Sequence, residues 1–228
     1  MEFTGLDKMS LLDYEDYVSA VIFAPACNFR CPFCHNGDSV LNSSVEIPFE
    51  EIISYLKSRK GLLDAVVVTG GEPTLMPDLE NKIRQIKELG YEVKLDTNGT
   101  NPELLHHLIN EKLINYVAMD IKNSPAKYGL TAGCKLVDME KIKKSIEILK
   151  TSGVRYEFRT TLVKEFHEFK DIPELGKLIE GAKKLYLQKF VDREGVIQKG
   201  LHPVDEDIAT MYKKDLERFV SEVYLRGY

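Results

Sequence analysis

Along most of the chain, short runs of β-branched and aliphatic residues alternate with longer stretches in which apolar residues recur every three or four positions. Strand signals begin near Ser19 (SAVIFA), Asp64 (DAVVVTG), Tyr91 (YEVKLDT), Asn115 (NYVAMDI), Val154 (VRYEFRTTLV) and Lys184 (KLYLQKF). Runs such as Ala65–Val68 are apolar on both sides, as strands covered on both faces of a parallel sheet must be. Helix signals fill the gaps. Pro48 opens one helix with Glu50 and Glu51 in its first turn. Pro77-Asp78 opens the next, where Leu79, Ile83, Ile86 and Leu89 form an apolar stripe that Gly90 ends. Asn101-Pro102 starts a third, Val137–Lys150 forms a fourth with Gly153 just beyond, and Ile172–Ile179 forms a fifth.

This alternation predicts an α/β fold of parallel strands joined by right-handed crossovers. A closed eight-unit barrel takes ~250 residues. The chain has 228, and its first strand signal comes only at Ser19. Six units therefore predict a partial (βα)6 TIM-like barrel, open on one side. A doubly wound sheet has the same periodicity and stands as the structural alternative. The expected organisation is a single domain over 1–228. It has an N-terminal extension at 1–18, a partial barrel core at 19–190, and a C-terminal loop, helix and short strand (VYLRG) at 191–228.

Composition narrows the class. With 43% hydrophobic and 29% charged residues the chain is an ordinary globular protein. No stretch reaches the ~20 apolar residues of a membrane span, and the acidic start is unlike a secretory signal. A net charge of -5 argues against generic nucleic-acid binding. The four cysteines do not suit a disulfide scaffold: three fall within eight residues and the fourth, Cys134, lies a hundred residues on. Metal or redox chemistry in a reducing cytoplasm is the expectation.

The candidate chemistry follows the strands. After the first comes Cys27-Asn28-Phe29-Arg30-Cys31-Pro32-Phe33-Cys34-His35-Asn36. Thiolates at this spacing can converge on one centre from a single loop. A cubane iron–sulfur cluster normally takes four thiolates, so three would leave one iron open to a reactant. Zinc wants four ligands; His35 adjoins Cys34 awkwardly, and Cys134 is remote in the loop TAGCK. Spacing favours iron–sulfur and leaves zinc open. The second strand ends in Thr69-Gly70-Gly71-Glu72-Pro73-Thr74, where two glycines would let a ligand approach exposed N–H groups and Glu72 could accept from an ammonium. The same string is also ordinary turn punctuation. The third strand ends at Asp96-Thr97-Asn98-Gly99 and the fourth at Ala118-Met119-Asp120-Ile121-Lys122. The fifth carries Arg159, and the sixth ends in Gln188 and Phe190. All fall at carboxyl ends of strands, where parallel barrels gather their working groups.

At these residues the sequence resembles the radical S-adenosylmethionine superfamily, whose marks are the Cys27, Cys31, Cys34 spacing with an aromatic, Phe33, before the last cysteine, and the Gly-Gly-Glu-Pro turn. The strings CNFRCPFCHN, GGEPTL, KLDTNG and VAMDIK are similar to glycyl-radical-enzyme activases, in particular to anaerobic ribonucleoside-triphosphate reductase activating proteins. One departure is Glu15-Asp16, where that subgroup often has Pro-Gly. The resemblance implies that Cys27, Cys31 and Cys34 hold a [4Fe-4S] cluster whose remaining iron is chelated by S-adenosylmethionine. Gly70, Gly71, Glu72 and Pro73 would line its methionine, Phe33 its adenine, and Val163 and Phe190 its nucleoside. Lys122 would neutralise its carboxylate, with Arg159 nearby. A monovalent cation beside Asp96, Thr97, Ala118 and Asp120 is a further implication. The implied reaction is reductive cleavage to a 5′-deoxyadenosyl radical that makes a glycyl radical on a partner enzyme, with flavodoxin or ferredoxin as electron donor. Pyruvate formate-lyase or another glycyl radical enzyme, a small-molecule substrate, or an electron-transfer protein using the cluster alone are the alternatives.

Overall fold

The computed structural model describes residues 1–41 and 46–228. Its strands are β1 (Gly5–Ser10), β2 (Ser19–Ala24), β3 (Ala65–Gly70), β4 (Glu92–Thr97), β5 (Tyr116–Asp120), β6 (Arg155–Leu162), β7 (Lys184–Lys189) and β8 (Glu222–Arg226). The helices are α1 (Gly37–Leu41), α2 (Phe49–Ser58), α3 (Leu79–Glu88), α4 (Pro102–Asn110), α5 (Tyr128–Thr131), α6 (Met139–Thr151), α7 (Ile172–Leu178) and α8 (Glu206–Leu216). Strand order follows chain order, as repeated βα units require. Among the described residues no helix is long and apolar enough to cross a membrane.

The span expected as one domain holds two compact units. The first comprises Met1–Asn28, Asp38–Thr97 and Asn101–Ala118; the second comprises Phe29–Gly37, Asn98–Thr100 and Met119–Tyr228. Because the chain passes between them repeatedly, no linker composition marks a boundary.

In the first unit β2, β3 and β4 are parallel, with Ser19 opposite Ala65 and Ala65 opposite Glu92. Residues 1–18, expected to precede the sheet, instead supply β1, which runs antiparallel to β2 with Gly5 opposite Phe23. β1 (GLDKMS) lacks an apolar alternation because it is largely exposed. Backbone bonds flanking the strand, such as Thr4 N–H to Phe23 O at 2.8 Å, rather than burial, help hold it. Ala65, Val66, Val67 and Val68 are all fully buried, so the continuous apolar run is explained by coverage of both faces. One face carries the cluster Tyr14, Val21, Ala65, Val67 and Tyr116. On the helical side, Ile52 and Leu56 of α2 and Ile83 and Ile86 of α3 are fully buried, each contributing roughly 1.5–3 kcal/mol relative to exposure. α4 starts where Asn101 and Pro102 predict, with the Asn101 side chain accepting from Leu104 N–H at 3.3 Å.

In the second unit β6, β7 and β8 are parallel, with Phe158 opposite Leu185 and Leu185 opposite Val223. That buried row lies on the side covered by α7 and α8, which pack on each other with α8 against β8. Asp138 caps α6 by accepting from Glu140 N–H at 3.1 Å, an exposed cap that contributes about 1 kcal/mol.

Candidate cofactor site

In the first unit β2 runs into Pro25, Ala26 and Cys27. Ala26 lies in the left-handed region at φ 52°, a strained start to the cysteine loop. Gly70 and Gly71 end β3 directly beneath it. A Cβ on Gly71 would stand 1.7 Å from the Ala26 carbonyl oxygen, and one on Gly70 2.6 Å from the Ala24 nitrogen. Gly71 N–H donates to Ala24 O and Glu72 N–H to Ala26 O, each at 2.8 Å. Of the two glycine N–H groups expected to be exposed to a ligand, that of Gly71 is therefore engaged within the chain, as is the N–H of Glu72. They hold the chain leading to Cys27, and the glycines are small because two backbones meet there.

Glu72 is fully buried. Its Oε1 accepts from Thr74 N–H at 3.1 Å, Thr74 Oγ1 at 2.5 Å and Thr97 Oγ1 at 2.7 Å. It caps the short 3-10 turn Pro73–Leu75, so the carboxylate is fixed by both the β3 turn and the end of β4. Asp96 Oδ2 accepts from Thr69 Oγ1 at 3.1 Å, and the buried Lys94 ammonium lies 3.7 Å from Asp96 Oδ1. Ala118 is buried in β5.

In the second unit the loop Phe29–Gly37 is held from two sides. Arg30 N–H donates to Ala132 O at 2.9 Å, and a Cβ on Gly133 would stand 1.9 Å from Arg30 O. On the other side Gln198 N–H donates to Pro32 O, and His35 Nε2 donates to Val191 O, both at 2.8 Å. The irregular stretch after Phe190 thus serves as a brace. Cys34 N–H donates to Cys31 O at 2.9 Å, bringing those two cysteines onto one turn. Phe33 is buried with its ring 6.1 Å from that of Phe166, and the buried Phe190 stacks on His35 at 5.8 Å. Cys134 follows the Ala132-Gly133 contact, its Sγ 3.6 Å from Ala132 O.

Beside this loop lies a charged trio. Lys122 Nζ donates to Asp120 Oδ2 at 2.9 Å, and Arg159 Nε to Asp120 Oδ1 at 3.0 Å. Burial alone would raise the Asp120 carboxyl; Arg159 and Lys122 outweigh it and hold the pKa at about 2. Burial opposes the Lys122 ammonium, yet the Asp120 carboxylate holds it well above the ordinary lysine range. Burial pushes the Cys31 thiol up to about 11, with Lys122 pulling the other way, and burial also raises Cys34.

His167 is a positioning residue that the sequence did not disclose. Its buried ring accepts from Val163 N–H at 3.1 Å and donates from Nε2 to Lys122 O at 3.0 Å, a neutral tautomer. Burial holds its pKa below the ordinary value. Val163, expected beside a nucleoside, has its side chain fully buried and its amide on this imidazole.

The four cysteines are free of disulfides. Three soft thiol donors in one loop, with a lysine ammonium favouring the Cys31 thiolate, fit an iron–sulfur cluster by donor chemistry. Among the described residues no three Cys, His, Asp or Glu side chains converge as around a single metal ion; a four-iron cluster is larger and holds its thiolates further apart. The carboxylates expected beside a monovalent cation already face cations of the chain: Lys94 at Asp96, and Lys122 with Arg159 at Asp120.

A parallel α/β sheet with a loop of three thiols and charged groups at its strand ends defines an enzyme built around a thiolate-held cofactor. The chain belongs to the Radical SAM superfamily, whose pattern matches residues 21–179. Its cofactors are a [4Fe-4S] cluster and S-adenosylmethionine. It is 35% identical over 98% of its length, and 95% of the relative's, to a Methanocaldococcus jannaschii protein provisionally named a glycyl-radical enzyme activating enzyme. It is 33% identical to the pyruvate formate-lyase-activating enzyme of Staphylococcus aureus over 45% of this chain and 46% of that one. Among solved structures it superposes on a radical SAM methyltransferase from Sphaerobacter thermophilus with a TM-score of 0.73 and 15% identity, over 94% of this chain and 68% of that one. The parallel α/β fold read from periodicity stands.

Proposed function

We propose that the protein is a cytoplasmic activase that generates a glycyl radical on a partner enzyme, an anaerobic ribonucleoside-triphosphate reductase. The observation that carries this reading is the likeness, over nearly the whole of both chains, to a protein named as a glycyl-radical enzyme activating enzyme. When bound and reduced, the cluster supplies the electron that breaks the sulfonium carbon–sulfur bond of S-adenosylmethionine. The chain's own residues position the participants. Cys27, Cys31 and Cys34 hold the cluster. Gly70, Gly71 and Pro73 shape the seat of the methionine moiety. Glu72, immobilised by Thr74 and Thr97, accepts from its ammonium. Lys122, kept charged by Asp120, faces its carboxylate. Phe33, Val163 and Phe190 flank the nucleoside, and Arg159 holds Asp120 in place. The reducing equivalents come from a small carrier such as flavodoxin or ferredoxin.

A second reading, activation of pyruvate formate-lyase, is favoured by the match to the Staphylococcus aureus enzyme. One experiment separates them. Anaerobically reconstituted protein, reductant and S-adenosylmethionine are mixed with each candidate partner, and the glycyl-radical doublet is sought by electron paramagnetic resonance. The reading expects a doublet with the reductase. A doublet with pyruvate formate-lyase alone selects the second reading, and none with any partner refutes both.

A further inference from the structure

The first unit keeps a buried ammonium to which the cofactor chemistry above gives no role. Lys94 stands on β4 two residues before Asp96, so strand alternation puts both on one face of the sheet. Its partner across the sheet is Val67, a member of the buried cluster with Tyr14 and Tyr116. Only 5% of Lys94 is exposed. Its Nζ donates to the Asp13 carbonyl, lies 5.5 Å from the Tyr116 ring centre and stands 3.7 Å from Asp96 Oδ1. An ammonium taken out of water is costly unless it is hydrogen-bonded and paired with a charge. The carbonyl and the ring face lower that cost, and the Asp96 carboxylate supplies the opposite charge.

The pairing also settles how Asp96 is occupied. Oδ2 accepts from Thr69 Oγ1 at 3.1 Å, while Oδ1 faces the ammonium. Thr97 turns its hydroxyl to Glu72 at 2.7 Å. Glu72 is a further buried carboxylate of this unit, and its partners Thr74 and Thr97 leave its charge for the ammonium of S-adenosylmethionine. Within the second unit, Asp120 has Lys122 on one oxygen and Arg159 on the other. Each of the two carboxylates expected beside a monovalent cation is thus matched by a cation of the chain. A metal ion brought within a few ångströms of a buried ammonium is repelled by it.

We propose that Lys94 is a positioning residue that gives Asp96 the positive charge for which the sequence resemblance implies a monovalent cation, so that the cofactor site needs neither potassium nor sodium. The proposal concerns S-adenosylmethionine binding and holds whichever partner enzyme is activated.

The test compares the chlorides of potassium, sodium and tetramethylammonium at equal ionic strength, which separates a bound cation from screening. Thermal unfolding is followed on the cluster-free protein, and the Kd for S-adenosylmethionine is measured on the reconstituted one. For the unsubstituted protein both should be the same in all three salts. Lys94→Met keeps the length of the side chain and removes its charge, leaving Asp96 to recruit a cation. Its Tm should then rise in potassium or sodium over tetramethylammonium, by roughly 3–5 °C with the cation at ten times its dissociation constant. Its Kd should become cation-dependent in the same order. Lys94→Arg, which keeps the charge, should stay indifferent. Lys94→Met combined with Asp96→Asn removes both charges and should be indifferent again, which covers the case in which the single variant does not fold. A cation-specific response in the unsubstituted protein or in the double variant overturns the proposal, as does a folded Lys94→Met variant that responds to no cation.

Discussion

Replacing Gly71 by alanine tests how the cysteine loop is anchored. The added Cβ would lie 1.7 Å from Ala26 O, 2.6 Å from Ala26 C and 2.9 Å from Pro25 O. These are backbone atoms, so no rotamer change relieves the overlap, and the strands must part by more than about 1 Å. Inserting a methyl group into a packed site costs about 1–3 kcal/mol. The bonds Gly71 N–Ala24 O and Glu72 N–Ala26 O stretch as well, adding roughly 1 kcal/mol each. A total of about 3–5 kcal/mol lowers Tm by about 6–20 °C in a domain of this size. Gly153→Ala is the control. Gly153 has φ 79° but nothing within 4 Å of the added Cβ, so its cost is conformational alone, about 1 kcal/mol. Thermal unfolding of the metal-free protein followed by circular dichroism should place Gly71→Ala well below Gly153→Ala. Iron bound per chain after reconstitution should also fall, because the displaced carbonyl belongs to the residue before Cys27. If the Gly71 variant melts no lower than the Gly153 variant, the packing argument is wrong.

Two further outcomes follow from the same geometry. The metal-free protein should lose stability in two acid steps. His167 has a lowered folded pKa, so its contribution is present above the ordinary imidazole value of 6.5 and fades as pH falls below it; Asp120 adds a loss between 3.8 and about 2. Urea midpoints measured down the pH range should show the first step vanish in His167→Gln, and a first step that persists in this variant would remove the histidine from the account. Separately, Asp16 sits at φ 70°, so Asp16→Gly should stabilise by about 0.5–1 kcal/mol; an unchanged or lower denaturation midpoint would contradict this.

What the sequence disclosed and what it hid divide along physical lines. Ala65–Val68 was legible because burial on both faces leaves an unbroken apolar run, and α4 because Asn101 and Pro102 are local start signals. β1 was not, since an exposed edge strand needs only backbone partners and imposes no pattern on its side chains. The cysteine spacing announced a metal site, but not what holds the loop: Ala132, Gly133, Val191 and Gln198 come from segments with no periodic signal. The Gly70-Gly71 pair has, besides the role expected of it, a packing role that no sequence pattern discloses, because two backbones meet there. Glu15-Asp16 becomes intelligible only with a torsion angle in hand. Asp16 occupies the left-handed position that glycine would take in the related Pro-Gly pattern, and aspartate is among the few residues that tolerate it.

The electrostatics beside Cys31 show why that part of the site needs several residues distant in sequence. A buried thiol resists ionisation, and metal capture requires the thiolate. A lysine beside it would help only if burial did not neutralise the lysine first. Asp120 prevents that by pairing with Lys122, and Asp120 stays ionised in turn because Arg159 takes its other oxygen. His167 completes the arrangement from the backbone side by holding the Lys122 carbonyl with a neutral ring that adds no competing charge. Each member is costly if left alone in a buried setting, and the cost falls only when all are present. That interdependence explains why the acidic and basic residues at the ends of β5 and β6 belong to the cysteine loop's chemistry rather than to surface ion pairing.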